Sequence, residues 1–165
     1  MSLFTVVAFA SSIDHGDLMK LSRKHRLDFR EFDNWTIASV FEAPSRLYVM
    51  ESDLGLGELV PSHRRGIGER VSHTEWTSSR PSVAECTAWL TDHPEEFYAL
   101  GDICDFIVEL LRTYTGTYFG LLRHWFSDRL DSDEIGYVRH QTIAISQLAK
   151  ETLLTLQVET VYRFN

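Results

Sequence analysis

The chain has 165 residues, of which 44% are hydrophobic and 24% are charged, and its formal net charge is −8. This size and composition are those of one ordinary globular domain, and the two cysteines are too few for a disulfide framework. The acidic balance disfavours nucleic acids and anionic membranes as partners, since both repel negative charge, and it favours a cationic protein partner.

The apolar start of the chain predicts a buried β-strand over residues 3–9. A first strand accounts for it better than a signal peptide, because the run is short and no Lys or Arg precedes it. No other stretch approaches the roughly 20 apolar residues of a membrane span. We therefore expect a cytoplasmic protein with buried, reduced thiols.

Capping signals predict the helices. Residues 14–25 carry leucines at helical spacing, with Ser12 or Asp14 as the N-cap. Ser82, with a Glu three residues later, forms a capping-box pattern, so a helix should begin near this residue. Pro94 suits the first turn of a further helix that continues the apolar periodicity.

Segments rich in β-branched and aromatic residues predict further strands, at 35–41, 46–50, 137–145 and 153–164. The Ala-Pro-Ser turn between the first two predicts a hairpin, and residues 146–151 would join the last two as a turn or one helical turn. Residues 117–126 fit a helix or a strand. Residues 53–81 form an irregular region rich in Gly and Pro, which is typical of a long functional loop.

The order of these elements predicts one α+β domain over residues 1–165. Its sheet should be mostly antiparallel, with strands at both ends of the chain and two to three helices packed on it.

The charge pattern of the central helices is the clearest functional signal. No Lys or Arg occurs between Pro81 and Leu111, whereas carboxylates recur throughout. A helical wheel gathers several of them opposite the apolar side, and like charges at helical spacing destabilise a helix. A helix selected for stability alone would usually interleave cations, so we interpret the cluster as a docking surface. The predicted partner-binding residues, called the acidic flank below, are Asp92, Glu95, Glu96, Asp102, Asp105, Phe106 and Glu109.

Phe106 is predicted to be the aromatic anchor of this flank, because the wheel places it at the border of the acidic sector. Two simpler interpretations stay open. The carboxylates would then form a plain solvated face, and the ring would be covered by another part of the same chain.

The favoured function is that of an acidic protein-binding module rather than an enzyme. Its most concrete form is an intracellular inhibitor of the immunity or antitoxin type, which docks on a cationic partner such as a toxin and occludes it. Carboxylates of the inhibitor would occupy the positions that a substrate's phosphates take. No motif indicates a cofactor or a metal, so neither is expected.

Two alternatives remain. The first is a small hydrolase-like enzyme with a site in the 62–80 loop, built from His63, His73, Glu75 and either Arg64 or Arg65. The second is an oligomeric accessory protein whose 153–164 strand pairs across a dimer. The sequence does not fix the oligomeric state.

Overall fold

The structure is a computed structural model that describes residues 2–51, 82–92, 94–126, 134–157 and 159–165. The predicted 53–81 loop lies outside these residues. The elements in chain order are β1 (Ser2–Ala10), α1 (His15–Lys24), β2 (Asp28–Phe32), α2 (Trp35–Ala38), β3 (Ser45–Glu51), α3 (Val83–Asp92), α4 (Pro94–Thr113), β4 (Phe119–Phe126), β5 (Arg139–Ile143), a 3₁₀ turn (Ile145–Gln147), α5 (Lys150–Leu154) and β6 (Thr160–Phe164).

The strands in the described ranges form one six-stranded sheet in the order β2-β3-β1-β4-β6-β5. Every neighbouring pair is antiparallel except β5 and β6, which are parallel. The predicted α+β class with a mostly antiparallel sheet is therefore confirmed. β1 lies in the middle of the sheet, and Val6, Val7 and Ala8 are all buried on it because both faces are covered. This explains its continuous apolar run.

Alternation along the strands divides the core in two. On the helix face, α1, α3, α4 and α5 cover the larger cluster, which includes Phe9, Tyr48, Phe119 and Tyr162. On the second face, α2 and the segment before β5 cover a smaller cluster, made of Val6, Ala8, Ile37, Phe41, Leu47, Leu122, Val138 and Val161. Within the described ranges, fewer buried residues belong to the cluster on the second face than to the cluster on the helix face.

The starts of α1 and α3 are fixed by N-terminal caps, as predicted. Asp14 caps α1, since its carboxylate accepts a hydrogen bond from the Asp17 N–H at 3.0 Å. The capping box before α3 is also confirmed. The Ser82 hydroxyl accepts from the Glu85 N–H at 3.2 Å, and the Glu85 carboxylate accepts from the Ser82 N–H at 2.7 Å.

The prediction of a strand over residues 35–41 is wrong, because this segment begins as α2. The Asn34 side chain accepts a hydrogen bond from the Ile37 N–H at 2.9 Å, and this N-cap overrides the strand propensity of the residues that follow. The antiparallel neighbour of β3 on this side is β2, from Asp28 to Phe32, so the predicted hairpin is also wrong.

The predicted strand over 153–164 is partly wrong, since α5 ends at Leu154 and β6 begins at Thr160. β6 lies between β4 and β5 and pairs with both. It is not an edge strand, so it cannot pair across a dimer in the way that the oligomeric alternative requires. The ambiguous 117–126 segment contains a strand, β4.

A close contact on the second face requires a glycine. A Cβ atom at Gly120 would lie 2.7 Å from the ring of Phe41, which is closer than side chains pack. The absence of a side chain at this point of β4 lets the ring lie against the sheet.

Candidate functional site

The acidic flank lies on α4, apart from Asp92 at the end of α3, and α1 packs against α4. Arg26 donates two hydrogen bonds to the Asp102 carboxylate, from Nε at 2.9 Å and from Nη2 at 2.8 Å. Glu109 accepts from Lys24 at 2.6 Å, and its carboxylate lies 2.8 Å from the His25 ring nitrogen Nε2. Two carboxylates of the flank are therefore engaged by the C-terminal end of α1.

The electrostatics of Glu109 follow from these contacts. The hydrogen bond from Lys24, followed in importance by that from His25, lowers the pKa of its carboxyl below the ordinary value. The carboxylate is thus stabilised in its charged form by its own chain. An external cation would have to compete with these two partners for it.

The prediction that Phe106 anchors a partner is wrong, because its side chain is 0% exposed. Its ring packs against Phe9, Phe29 and Phe119, with ring centroids 5.3 to 6.1 Å apart. The physical reason is that α4 is buried on a wider arc than the wheel assumed, since both the sheet and α1 cover it. The ring belongs to the core of the helix face.

The remaining residues of the flank have different positions. Asp92, at the end of α3, and Asp105, on α4, are exposed. Glu95 and Glu96 lie in the first turn of α4, and their side chains are outside the described part of the structure. A docking role for these four residues stays a prediction. Asp102 and Glu109 are engaged in ion pairs with Arg26 and Lys24, and a docking role for these two carboxylates stays a prediction as well.

The second face presents a different surface, which the sequence did not indicate. Among the described residues, two large apolar side chains are strongly exposed, Trp35 at 83% and Tyr137 at 89%. Each lies beside a residue of the small core, since Ile37 and Val138 are buried in the same cluster. The two rings therefore stand on the two segments that cover the second face of the sheet.

If residues 34–38 are interpreted as a helix, the sequence predicts that the side chain of Trp35 is exposed. In a helix, residues two apart point about 200° from each other, so a buried Ile37 leaves the ring at position 35 facing solvent. Tyr137 directly precedes the buried Val138 in a segment without regular secondary structure, and its own side chain is exposed.

Exposed carboxylates accompany both rings. Asp33 lies two residues before Trp35, and Glu134 lies three residues before Tyr137. Neither forms an ion pair with another residue in the described ranges. The nearby cation Arg139 is engaged within the chain. We call Trp35, Tyr137, Asp33 and Glu134, which lie on two separate segments over the second face, the aromatic surface.

Two histidines form further polar contacts. His15 Nδ1 lies 2.9 Å from the Tyr48 hydroxyl and 3.8 Å from the Glu31 carboxylate, and its ring stacks on Tyr48. His124 Nδ1 lies 2.9 Å from the Glu159 carboxylate. Within the described residues, no group of three or more His, Cys, Asp or Glu side chains could hold a metal ion.

The residues proposed for an enzymatic site, His63, His73, Glu75, Arg64 and Arg65, lie outside the described residues. Cys104 is a free, partly buried thiol, and burial raises its pKa to about 12. A thiol of this kind is protonated at neutral pH and is a poor nucleophile. Cys104 is thus a packing residue.

Comparison of the chain with protein-family models, with curated proteins and with solved structures finds no match. In the part of the chain that the structure describes, no helix combines the length and the apolar character needed to cross a bilayer.

Proposed function

We propose that this chain is a protein-binding module that docks on a cationic protein through its aromatic surface. The observation that carries the proposal is the exposure of Trp35 and Tyr137, at 83% and 89%, beside carboxylates that no described residue pairs. Its mode of action would be that of an inhibitor, which covers the functional surface of its partner.

Exposed rings of this size favour contact with another protein. Trp and Tyr are enriched at the energetic centres of protein interfaces, because they bury a large rigid area at a small cost in conformational entropy. The chain packs other aromatic rings in its interior, among them Phe9, Phe106 and Phe119. A ring left in water on the second face is therefore available for an interface.

The carboxylates beside the rings favour a cationic partner. A Lys or Arg of the partner can lie over an aromatic face and donate to an adjacent carboxylate at the same time. The net charge of −8 would steer such a partner toward the chain and accelerate association at low salt. Asp33 and Glu134 place part of this charge at the surface where the rings stand.

The inhibitory role follows from the kind of partner. A basic protein whose cationic site binds phosphates, such as a nuclease toxin, would be blocked when carboxylates occupy the phosphate positions. An acidic and compact module suits this purpose. The immunity or antitoxin type is thus the most concrete form of the proposal.

The experiment starts by trapping the partner at the proposed surface. The photo-reactive residue p-benzoylphenylalanine replaces Tyr137, and the crosslinked partner is identified by mass spectrometry and purified. Its affinity is then measured for the wild type, for the Trp35→Ala/Tyr137→Ala double variant and for the Asp92→Lys/Asp105→Lys double variant. The last variant perturbs the exposed part of the acidic flank and serves as the matched control.

We expect the aromatic variant to weaken binding by at least tenfold, which is about 1.4 kcal/mol, while its thermal unfolding stays close to that of the wild type. The association rate should fall steeply with added salt. Unchanged affinity of the aromatic variant would refute the proposed surface. If, in addition, the flank variant lost binding, the docking surface would lie on α3 and α4, as the sequence alone suggested.

A further inference from the structure

A cavity of about 320 Å³ opens on the second face of the sheet. It lies between the connection from α2 to β3 and the strands β4, β6 and β5. Its lining includes Phe41, Glu42, Tyr118, His140, Val161 and Arg163, but neither Trp35 nor Tyr137. The volume falls at the lower end of small-molecule sites, which are usually concave and apolar with a few convergent polar groups. The cavity is therefore separate from the aromatic surface.

The polar side of the cavity is held in place by a connected set of contacts. The Arg163 guanidinium lies over the Tyr118 ring, 5.4 Å from its centroid, and forms an ion pair with Glu42. The Tyr118 hydroxyl donates to the Glu42 carbonyl and also contacts the Ser45 hydroxyl. Burial raises the pKa of Tyr118, so its hydroxyl stays neutral. The guanidinium is thus oriented by a ring and a carboxylate.

Arg163 and His140 supply hydrogen-bond donors to the lining of the cavity. Glu42 is the ion-pair partner of Arg163 among the described residues, and a guanidinium has five N–H groups to offer. His140 pairs with Val161 across the parallel strands, which places it on the same face as Arg163, and it is exposed. A ligand that accepts hydrogen bonds and carries negative charge fits these donors best.

The floor of the cavity is apolar. Phe41 packs directly on Gly120, and Val161 lies on the neighbouring strand with its side chain in the small core. A ligand that fills the cavity would therefore contact an aromatic ring and an aliphatic side chain as well as the donors. A fully hydrated ion such as inorganic phosphate would leave this apolar part unused.

We propose that this cavity binds a small organic carboxylate that bears an apolar group, with Arg163 and His140 on the carboxylate and Phe41 and Val161 on the apolar part. This inference does not depend on the proposed protein partner. Either one can fail without the other.

The test is a titration of the ¹⁵N-labelled protein with benzoate, followed by amide chemical shifts. Benzamide is the neutral probe of the same shape, and inorganic phosphate is the anion without an apolar group. Arg163→Gln removes the proposed carboxylate partner. Arg112→Gln is the matched control, since it makes the same change at an exposed position of α4.

We expect saturable shifts with benzoate at the amides of Gly120 and Val161, and at least tenfold weaker binding of both benzamide and phosphate. Arg163→Gln should weaken benzoate binding at least tenfold, whereas Arg112→Gln should leave it unchanged. If Arg163→Gln does not fold, His140→Gln takes its place, with a loss of at least threefold expected. Absence of saturable shifts at these amides, binding of benzamide or phosphate as tight as that of benzoate, or unchanged affinity of the variant at position 163 or 140 would overturn the proposal.

Discussion

Replacing Phe106 by Ala distinguishes a core residue from an interface anchor. The structure places this ring in the centre of the helix face, in contact with Phe9, Phe29 and Phe119. An exposed anchor could be truncated with little effect on the free energy of unfolding. A buried ring cannot, because its removal leaves a cavity that its neighbours fill only in part.

The burial and the contacts of Phe106 set the expected loss in the free energy of unfolding. Truncation of a buried Phe to Ala typically costs about 3–5 kcal/mol, and the edge-to-face contacts of Phe106 place it in the upper part of this range. The free energy of unfolding of a domain is about 5–15 kcal/mol, so the variant should lose a large fraction of it. For a chain of this length, the unfolding temperature should fall by roughly 6–20 °C.

Urea unfolding followed by circular dichroism measures this loss, with Asp105→Ala as the control. Asp105 precedes Phe106 on α4 but is exposed, so its replacement should change the free energy of unfolding by less than about 0.5 kcal/mol. A loss below about 1 kcal/mol for Phe106→Ala would contradict the core position of the ring. It would also return Phe106 to the list of residues available to a partner.

Further predictions concern four other positions. The contacts of Glu109 lower the pKa of its carboxyl, so the wild type should be more stable than Glu109→Gln above the ordinary pKa of 4.5. This difference in the free energy of unfolding should shrink as the pH falls below that value. Urea unfolding at a series of pH values measures it. In a Cys86→Ser variant, the remaining Cys104 should react with iodoacetamide at pH 8 about a thousandfold more slowly than a free thiol, since its pKa is about 12; comparable rates would show an exposed thiol. Gly120→Ala should lower the free energy of unfolding by about 1–3 kcal/mol, because its methyl group would overlap the ring packed on it, and an unchanged unfolding midpoint would contradict that contact. Arg26 has a positive φ of 57°, so Arg26→Gly should unfold at a higher temperature than Arg26→Ala, which keeps the backbone strain and lacks the ion pair.

The fold could be predicted where local chemistry decides it. Asp14, Ser82 and Pro94 each mark a helix start that depends on a few neighbouring residues, and the structure has helices there. The buried strand β1 was also predictable, since both of its faces are apolar. Such signals are readable from the sequence because the interactions are local.

The elements that depend on their surroundings were not predictable in the same way. β2 begins at Asp28 within a charged stretch and becomes a strand because β3 pairs with it. The segment after Asn34 has the composition of a strand, but the Asn34 cap makes it a helix. In both cases a contact, the strand pairing in one and the N-cap in the other, outweighs the structure that the composition of the segment favours.

The position of Phe106 could have been predicted from spacing alone. Ile103, Phe106, Ile107 and Leu110 follow the i, i+3, i+4, i+7 pattern of a buried helical stripe, and all four are buried. The wheel assigned the ring to the acidic sector because it lies at the border between the two sides. The packing of α1 on α4 covers this border, so the ring belongs to the buried stripe and not to the acidic sector.

Cations at and just after the end of α1 account for part of the acidic run of α4. The cationic end of α1, taken alone, has the character of a solvated helix face, and the acidic run of α4 that of a docking surface. In the structure, Lys24 and Arg26 bind Glu109 and Asp102, so the two stretches form one internal contact. A contact of this kind removes equal numbers of positive and negative charges, and the net charge of −8 must therefore reside elsewhere. The exposed carboxylates outside this contact include Asp92 and Asp105, and also Asp33 and Glu134, which lie two and three residues before the exposed rings of Trp35 and Tyr137.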